Sequence, residues 1–129
     1  MKKIIFFSVL ISSLFVSCKK NPLAGKIKYE AIFQGTGYSD IDIEYINEYG
    51  NVNTITNNTT PNWSQTINST PGETYTFHLS GTPTGSFTIT FRLYYGGEIK
   101  EEQITIAYFN SSSNNWTYID NSLNYEVPL

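Results

Sequence analysis

Apolar residues recur at every second position along most of the chain after residue 25, which is the period of a β-strand and not of a helix. No window of helical length has apolar residues spaced three and four apart. We expect the apolar members of each alternating run to face one core. The runs are Ile27–Phe33, Ile41–Tyr45, Tyr75–Leu79, Phe87–Tyr95 and Ile104–Tyr108, and Trp116 with Tyr118 opens a last strand towards Val127.

Turn-forming residues separate these runs at short, regular intervals. The sharpest signal is Gly96-Gly97, because a tight hairpin needs the positive φ that glycine adopts at little cost. It predicts a hairpin that joins strands at about 85–95 and 98–109. The whole pattern predicts an all-β domain over residues 26–129, an immunoglobulin-like antiparallel β-sandwich of seven to eight strands.

The first 17 residues have the features of a secretory signal peptide. Two lysines follow Met1, and the apolar run from Ile4 to Val16 is too short to cross a bilayer as a helix. The stretch Leu14-Phe15-Val16-Ser17-Cys18 resembles the lipobox of bacterial lipoproteins, in its looser Bacteroidetes form. That resemblance implies cleavage before Cys18 and acylation of its thiol, with palmitate among the chains.

Two alternatives for Cys18 stay open: an ordinary signal peptide that leaves a free thiol, and an uncleaved anchor. Lipidation is favoured, because several acyl chains on one residue give a stable membrane attachment. Residues 18–25 then form a lipidated tether whose Lys19 and Lys20 approach anionic headgroups. We expect a lipid-anchored protein of the bacterial cell envelope. The absence of an acidic stretch after Cys18 favours a periplasm-facing position over the cell surface.

Composition excludes several classes of function. The chain has 129 residues, enough for one domain, and a net charge of −3, so it lacks the positive field expected of a nucleic-acid-binding protein. One Cys and one His cannot form an internal disulfide or a usual zinc site. We therefore expect no nucleic acid, no metal and no cofactor.

Catalytic constellations are equally sparse. His78 is the only imidazole and falls on the polar side of its run, so we interpret it as a surface residue and not as a general base. Asp40, Asp42 and Glu44 alternate along one strand face. They could ligate Ca²⁺ if loops added oxygens, but a solubilising stripe is favoured. The sequence thus predicts a protein that is not an enzyme.

Three stretches together are similar to the domain of MmpS-type transport accessory proteins of mycobacteria and of related small bacteroidete lipoproteins. The first comprises Lys28-Tyr29-Glu30, Gly35 and the segment from Ile41 to Gly50; the second is Pro61-Asn62-Trp63-Ser64; the third runs from Gly85 to Ile99. The resemblance implies a β-sandwich that acts as an accessory or binding module. It also implies that Trp63 closes one end of the sandwich, and it offers no catalytic residues.

Aromatic residues supply the remaining functional signal. Ten Tyr, eight Phe and two Trp exceed the needs of so small a core, so some rings must be exposed. The candidate ligand or partner surface consists of Trp116, Tyr94, Tyr49 and Tyr38. The leading hypothesis is a protein partner, such as an envelope or transporter protein, bound by a non-catalytic module. The alternative is a glycan-binding lipoprotein that stacks sugars on these rings.

Overall fold

The computed structural model describes residues 23–129, which fold into antiparallel strands without a helix. Cys18 and the predicted signal peptide lie outside the described residues. The strands are β1 (Lys26–Gly35), β2 (Asp42–Ile46), β3 (Val52–Ile55), β4 (Asn62–Asn68), β5 (Thr74–Gly81), β6 (Phe87–Tyr95), β7 (Glu98–Ile106), β8 (Phe109–Asn110), β9 (Asn115–Trp116) and β10 (Ile119–Glu126).

Eight of these strands form two four-stranded sheets that pack face to face. Sheet one has the order β4-β1-β6-β7 and sheet two the order β10-β5-β2-β3, while β8 and β9 pair only with each other. The predicted all-β antiparallel sandwich is confirmed. The edge strands β3 and β4 have a weak sequence signal, because a polar residue, Asn53 in β3 and Gln65 in β4, interrupts the inward apolar series of each short strand.

The core lies between the sheets and is rich in aromatic rings. Tyr29 of β1 contacts Phe77 of β5 with ring centroids 5.3 Å apart, and Phe77 contacts Phe91 of β6 at 5.6 Å. Trp63 of β4 also packs on Phe77, at 5.9 Å. The alternating residues of β1, β2, β5 and β6 point inward as predicted. The buried set is Ile27, Tyr29, Ala31, Phe33, Ile41, Ile43, Tyr45, Tyr75, Phe77, Leu79, Phe87, Ile89, Phe91 and Leu93.

The two ends of the sandwich differ in what they carry. β1 begins at one end, where the β2–β3 and β6–β7 turns and the C-terminus also lie. Backbone hydrogen bonds of Gly96 and Val127 hold the β6–β7 turn and the C-terminus at this end. We call this the N-terminal end. The opposite end, here the distal end, holds the loops after Gly35 and Gly81 and the β8–β9 hairpin.

A β-bulge in the β6–β7 hairpin changes the orientation of β7. Gly96-Gly97 forms the predicted tight turn, with Tyr95 opposite Glu98, and an unbroken register would place Ile104 opposite the buried Ile89. The register instead shifts by one at Lys100, so Ile104 lies opposite Thr90. Because alternate side chains point to opposite faces, this shift turns the rest of β7 over.

The prediction that Ile104, Ile106 and Tyr108 continue the inward series is therefore wrong. Ile104 and Ile106 face solvent on the outside of sheet one and are 61% and 69% exposed. The inward positions of β7 carry polar groups, and these bridge to sheet two. Asn121 of β10 accepts a hydrogen bond from Gln103 (3.2 Å) and donates one to Thr105 (2.9 Å).

The last strand also differs from the prediction. Trp116 belongs to the short hairpin of β8 and β9, in which Phe109 pairs with Trp116 and Asn110 with Asn115. β10 begins only at Ile119, which lies opposite Gly81. Tyr118 sits between the two strands and is exposed. The tip of the hairpin turns through Asn114, whose positive φ of 55° suits asparagine better than most residues.

Two isoleucines of sheet one test the effect of the bulge on stability. We expect Ile89→Ala, in the buried core, to lower the free energy of unfolding by about 2–5 kcal/mol, because it leaves a cavity. Ile104→Ala should cost less than about 1 kcal/mol, which is the range of strand propensity alone. Urea unfolding followed by tryptophan fluorescence measures both; equal losses would contradict the outward orientation of Ile104.

Candidate functional site

The four aromatic residues predicted as one binding surface do not meet in the structure. Tyr94 and Tyr49 lie at the N-terminal end, on β6 and in the β2–β3 turn. Tyr38 and Trp116 lie at the distal end, in the β1–β2 loop and on β9. A single ligand could not contact all four, because the length of the strands separates the pairs.

Tyr38 and Trp116 are half-buried and pack against the core. The ring of Tyr38 stacks on Phe33 with centroids 4.6 Å apart, and its hydroxyl donates a hydrogen bond to the carbonyl oxygen of Thr59 at 3.2 Å. Trp116 meets the edge of Phe109 at 5.3 Å. Both residues close the distal end of the sandwich and offer only part of their rings to a partner.

Tyr94 belongs to a polar network on the outer face of sheet one. Its hydroxyl donates to Glu30 at 2.8 Å, and the Lys28 ammonium lies 5.0 Å from its ring centroid. Arg92 bridges Glu30, at 3.1 Å, and Glu102. Burial alone would raise the pKa of Glu30, but hydrogen bonds from Tyr94, Lys28 and Arg92 lower it. These contacts hold three strands together and occupy the tyrosine hydroxyl.

Tyr49 is the most exposed of the four, with 80% of its surface accessible. It lines a cleft of about 210 Å³ at the N-terminal end, together with Glu48, Glu73 and Tyr75. The turn is held by Asn47, whose side-chain oxygen accepts hydrogen bonds from the backbone of Tyr49 (2.9 Å) and Asn51 (3.0 Å). Open walls and two acidic side chains make this cleft a poor site for an apolar ligand.

One grouping of exposed apolar side chains lies on and beside β7 and the hairpin. We call it the distal apolar surface, and it consists of Ile104, Ile106, Tyr108, Phe109 and Tyr118. Tyr108 is 64% and Tyr118 58% exposed, and Thr117 bonds the Tyr108 carbonyl, which holds the two tyrosines close in the fold. Large apolar side chains left exposed together are typical of a binding surface.

The segment that carries this surface has no charge at all. Residues 103–119 contain no Asp, Glu, Lys, Arg or His, and their polar groups are Asn, Ser, Thr and Gln. Contact with a partner therefore removes little charge from water, which keeps the desolvation cost low. Sequence reasoning identified these apolar residues but assigned them to the core. The acidic pair Glu101-Glu102 just before them was a signal that β7 is an edge strand.

His78 lies on the outer face of sheet two between two carboxylates. Its Nδ1 is 3.2 Å from Glu44 and its Nε2 is 2.6 Å from Asp120, so β2, β5 and β10 are joined. Partial burial lowers the pKa of His78, but the hydrogen bonds to Asp120 and Glu44 outweigh it, and the net pKa is raised.

This arrangement offers no nucleophile and no metal centre. Both ring nitrogens of His78 already face carboxylates, so neither is free to act on a hydroxyl group. Within residues 23–129 there is no cluster of three His, Cys, Asp or Glu side chains that could hold a metal ion. The predicted acidic stripe of Asp40, Asp42 and Glu44 is only partly free, since Glu44 binds His78.

Within residues 23–129 no helix is long and apolar enough to cross a membrane.

Comparison with known proteins supports the fold alone. No protein-family model matches the chain, and no curated protein matches it either. A solved structure of a DUF4425 family protein from Bacteroides ovatus is similar, with a TM-score of 0.56 and 17% sequence identity. The match covers 78% of this chain and 95% of that one. At this identity the likeness shows a common β-sandwich architecture.

The His78 pair predicts a pH-dependent contribution to stability. Because the folded-state pKa is raised, the contribution is present below about pH 6.5 and is lost as pH rises through the folded value. We expect the wild type to exceed His78→Gln by about 0.5–1 kcal/mol at pH 6, after screening by solvent, and to lose that excess by pH 8. Urea unfolding at both pH values measures the difference; a pH-independent gap would contradict the ion pairs.

Proposed function

We propose that this protein is a lipid-anchored, non-catalytic binding module of the bacterial cell envelope that contacts a protein partner through its distal apolar surface. The observation that carries the proposal is the exposure of Ile104, Ile106, Tyr108 and Tyr118 in an uncharged segment. Aromatic and branched apolar side chains of this kind supply most of the binding energy in protein interfaces.

The position of the chain start supports the proposed orientation. Residue 23 and β1 lie at the N-terminal end, so a tether that begins at Cys18 would hold that end towards the bilayer. The end of β7 at Ile106 and the β8–β9 hairpin would then lie on the side away from the membrane, where a partner has free access. The MmpS-like resemblance of the sequence agrees with an accessory role, and an envelope or transporter protein is the partner it suggests.

A glycan ligand is the second candidate. Tyr108 and Tyr118 expose ring surface and flank the hairpin segment that carries Asn114 and Asn115. A sugar needs an apolar face for stacking and amides for its hydroxyl groups. The isoleucines of β7 favour a protein instead, since aliphatic side chains add nothing to sugar stacking. A periplasm-facing position and the cell surface both remain compatible with the proposal.

The anchor is tested at Cys18. We expect cells that express the protein to incorporate labelled palmitate into it, and Cys18→Ala to abolish the label and release the protein from the membrane fraction. More than one acyl chain is needed for stable attachment, so loss of the thiol should shift most of the protein. An unlabelled wild type, or a variant that stays with the membrane, would contradict the anchor.

The partner surface is tested by capture from detergent-solubilised envelope of the native host. We expect the double variant Tyr108→Ser and Tyr118→Ser to weaken capture of a protein at least tenfold, which corresponds to about 1.4 kcal/mol. Tyr49→Ser is the matched control, because Tyr49 is even more exposed than Tyr108 and Tyr118 but lies at the N-terminal end.

The outcomes separate the two candidates. If the control alone reduces capture, the binding surface lies at the N-terminal end and the proposal is wrong. If no protein is captured but envelope polysaccharides quench tryptophan fluorescence in a saturable way that requires Tyr108 and Tyr118, the glycan function replaces the protein partner.

A further inference from the structure

The distal apolar surface includes a strand edge that no other strand of residues 23–129 covers. β7 is the last strand of sheet one and pairs only with β6 among the described residues. Its second half, from Glu102 to Ile106, is regular, because the bulge lies earlier, at Lys100. An exposed regular edge presents unpaired N–H and C=O groups that can accept another strand.

The hydrogen-bonding pattern shows which groups are free. The N–H of Ala107 bonds the carbonyl of Phe87, which makes this a hydrogen-bonded pair of the β6–β7 ladder. Such pairs alternate with non-bonded ones, so Thr105 and Gln103 also bond β6. Ile106, Ile104 and Glu102 therefore direct their N–H and C=O groups away from β6, towards the open edge.

We propose that this edge accepts one extended segment of a partner protein as an added antiparallel strand, in register with Glu102, Ile104 and Ile106. The inference rests on the proposed function, since it names what the distal apolar surface binds. Addition of a strand satisfies the free backbone groups and covers both isoleucines at once. Every strand pair of the described domain is antiparallel, so the added strand extends the existing arrangement.

The charges and side chains of β7 define the chemistry of that segment. Residues opposite Ile106 and Ile104 should be apolar and β-branched, because such cross-strand pairs stabilise a sheet. Glu101 is exposed and takes part in no ion pair of the described residues. The neighbouring Glu102 binds Arg92, but 40% of its side-chain surface remains exposed. Basic residues should face these two carboxylates. Read from its N-terminus, the segment is apolar, polar, apolar, polar, basic, basic.

A second copy of the chain fits this edge less well. When β7 pairs with β7 of another copy, the antiparallel register that joins all of Glu102–Ile106 places each Glu102 opposite Ile106, and the register that pairs the two Glu102 residues brings like charges together. A register that pairs Ile104 with Ile106 avoids these contacts, but it joins only three residues of each strand and leaves each Glu102 without a partner residue in β7. The acidic half of the strand thus opposes self-association and favours a basic partner segment.

The test uses the full chain in detergent and a labelled probe peptide that contains Val-Thr-Val-Thr-Lys-Lys. We expect saturable binding by fluorescence anisotropy, and at least fivefold weaker binding of the reversed peptide Lys-Lys-Thr-Val-Thr-Val, which has the same composition. In the same antiparallel register the reversed peptide would place lysine opposite Ile106, threonine opposite Ile104 and no basic residue opposite Glu101 or Glu102. Equal binding of the two peptides would overturn the proposed register.

Backbone recognition is tested at Ile104. Ile104→Pro removes an outward N–H without breaking the β6–β7 ladder, and we expect it to weaken peptide binding at least tenfold. Ile104→Val keeps the N–H and the branched side chain and should change binding less than twofold. An unchanged urea midpoint confirms that the proline variant is folded. The exposed variant Glu101→Lys gives an independent readout and should weaken binding of the lysine-ended peptide.

Failure of strand addition can be distinguished from failure of the proposed function. If envelope capture depends on Tyr108 and Tyr118 while neither capture nor peptide binding responds to Ile104→Pro and Glu101→Lys, the partner binds side chains only and strand addition is wrong. A concentration-dependent dimer in sedimentation analysis that Ile104→Pro dissociates would assign the edge to a second copy and also overturn the inference.

Discussion

Contacts between aromatic rings of the two sheets hold the sandwich together. Phe77 of sheet two lies between Tyr29 and Phe91 of sheet one, and Trp63 closes over it from the edge strand β4. Aromatic side chains bury more area than aliphatic ones, and their edge contacts add to that burial. Residues 23–129 contain no cysteine and no group of His, Cys, Asp or Glu side chains that could hold a metal ion, so no cross-link within them adds to this packing.

Burial of the inward apolar residues fixes the orientation of β1, β2, β5 and β6, whereas the orientation of β7 depends on its contacts at the edge of the sandwich. β7 lies at the edge, where inward positions meet only the margin of sheet two, and Gln103 and Thr105 satisfy each other through Asn121. A polar contact at this margin costs little, since solvent is near. The bulge at Lys100 can therefore expose two isoleucines without leaving a hole in the core.

In the candidate site, too, composition predicted that aromatic rings are exposed, but tertiary packing decided which ones. Composition alone indicated that some rings must be exposed, and Tyr49 is an exposed ring of the predicted set. Tyr38 was predicted to be exposed because it falls out of phase with the inward pattern, and Trp116 because it follows an Asn-rich loop. Both pack on the core. Exposure in a small sandwich depends on how the loops fold over its ends, and a periodic pattern carries no information on that contact.

The sequence by itself determined the strand period, the tight Gly96-Gly97 turn and the inward residues of the central strands, because a two-residue repeat and positive φ are local properties. Tertiary structure alone decided the face of Ile104. One extra residue at Lys100 reverses every side chain beyond it, and the cost of that reversal depends on the strands and sheet beside it. The acidic pair Glu101-Glu102 within β7 indicates an edge strand, but it does not report which strands and sheet lie beside that edge, and these decide the face of Ile104.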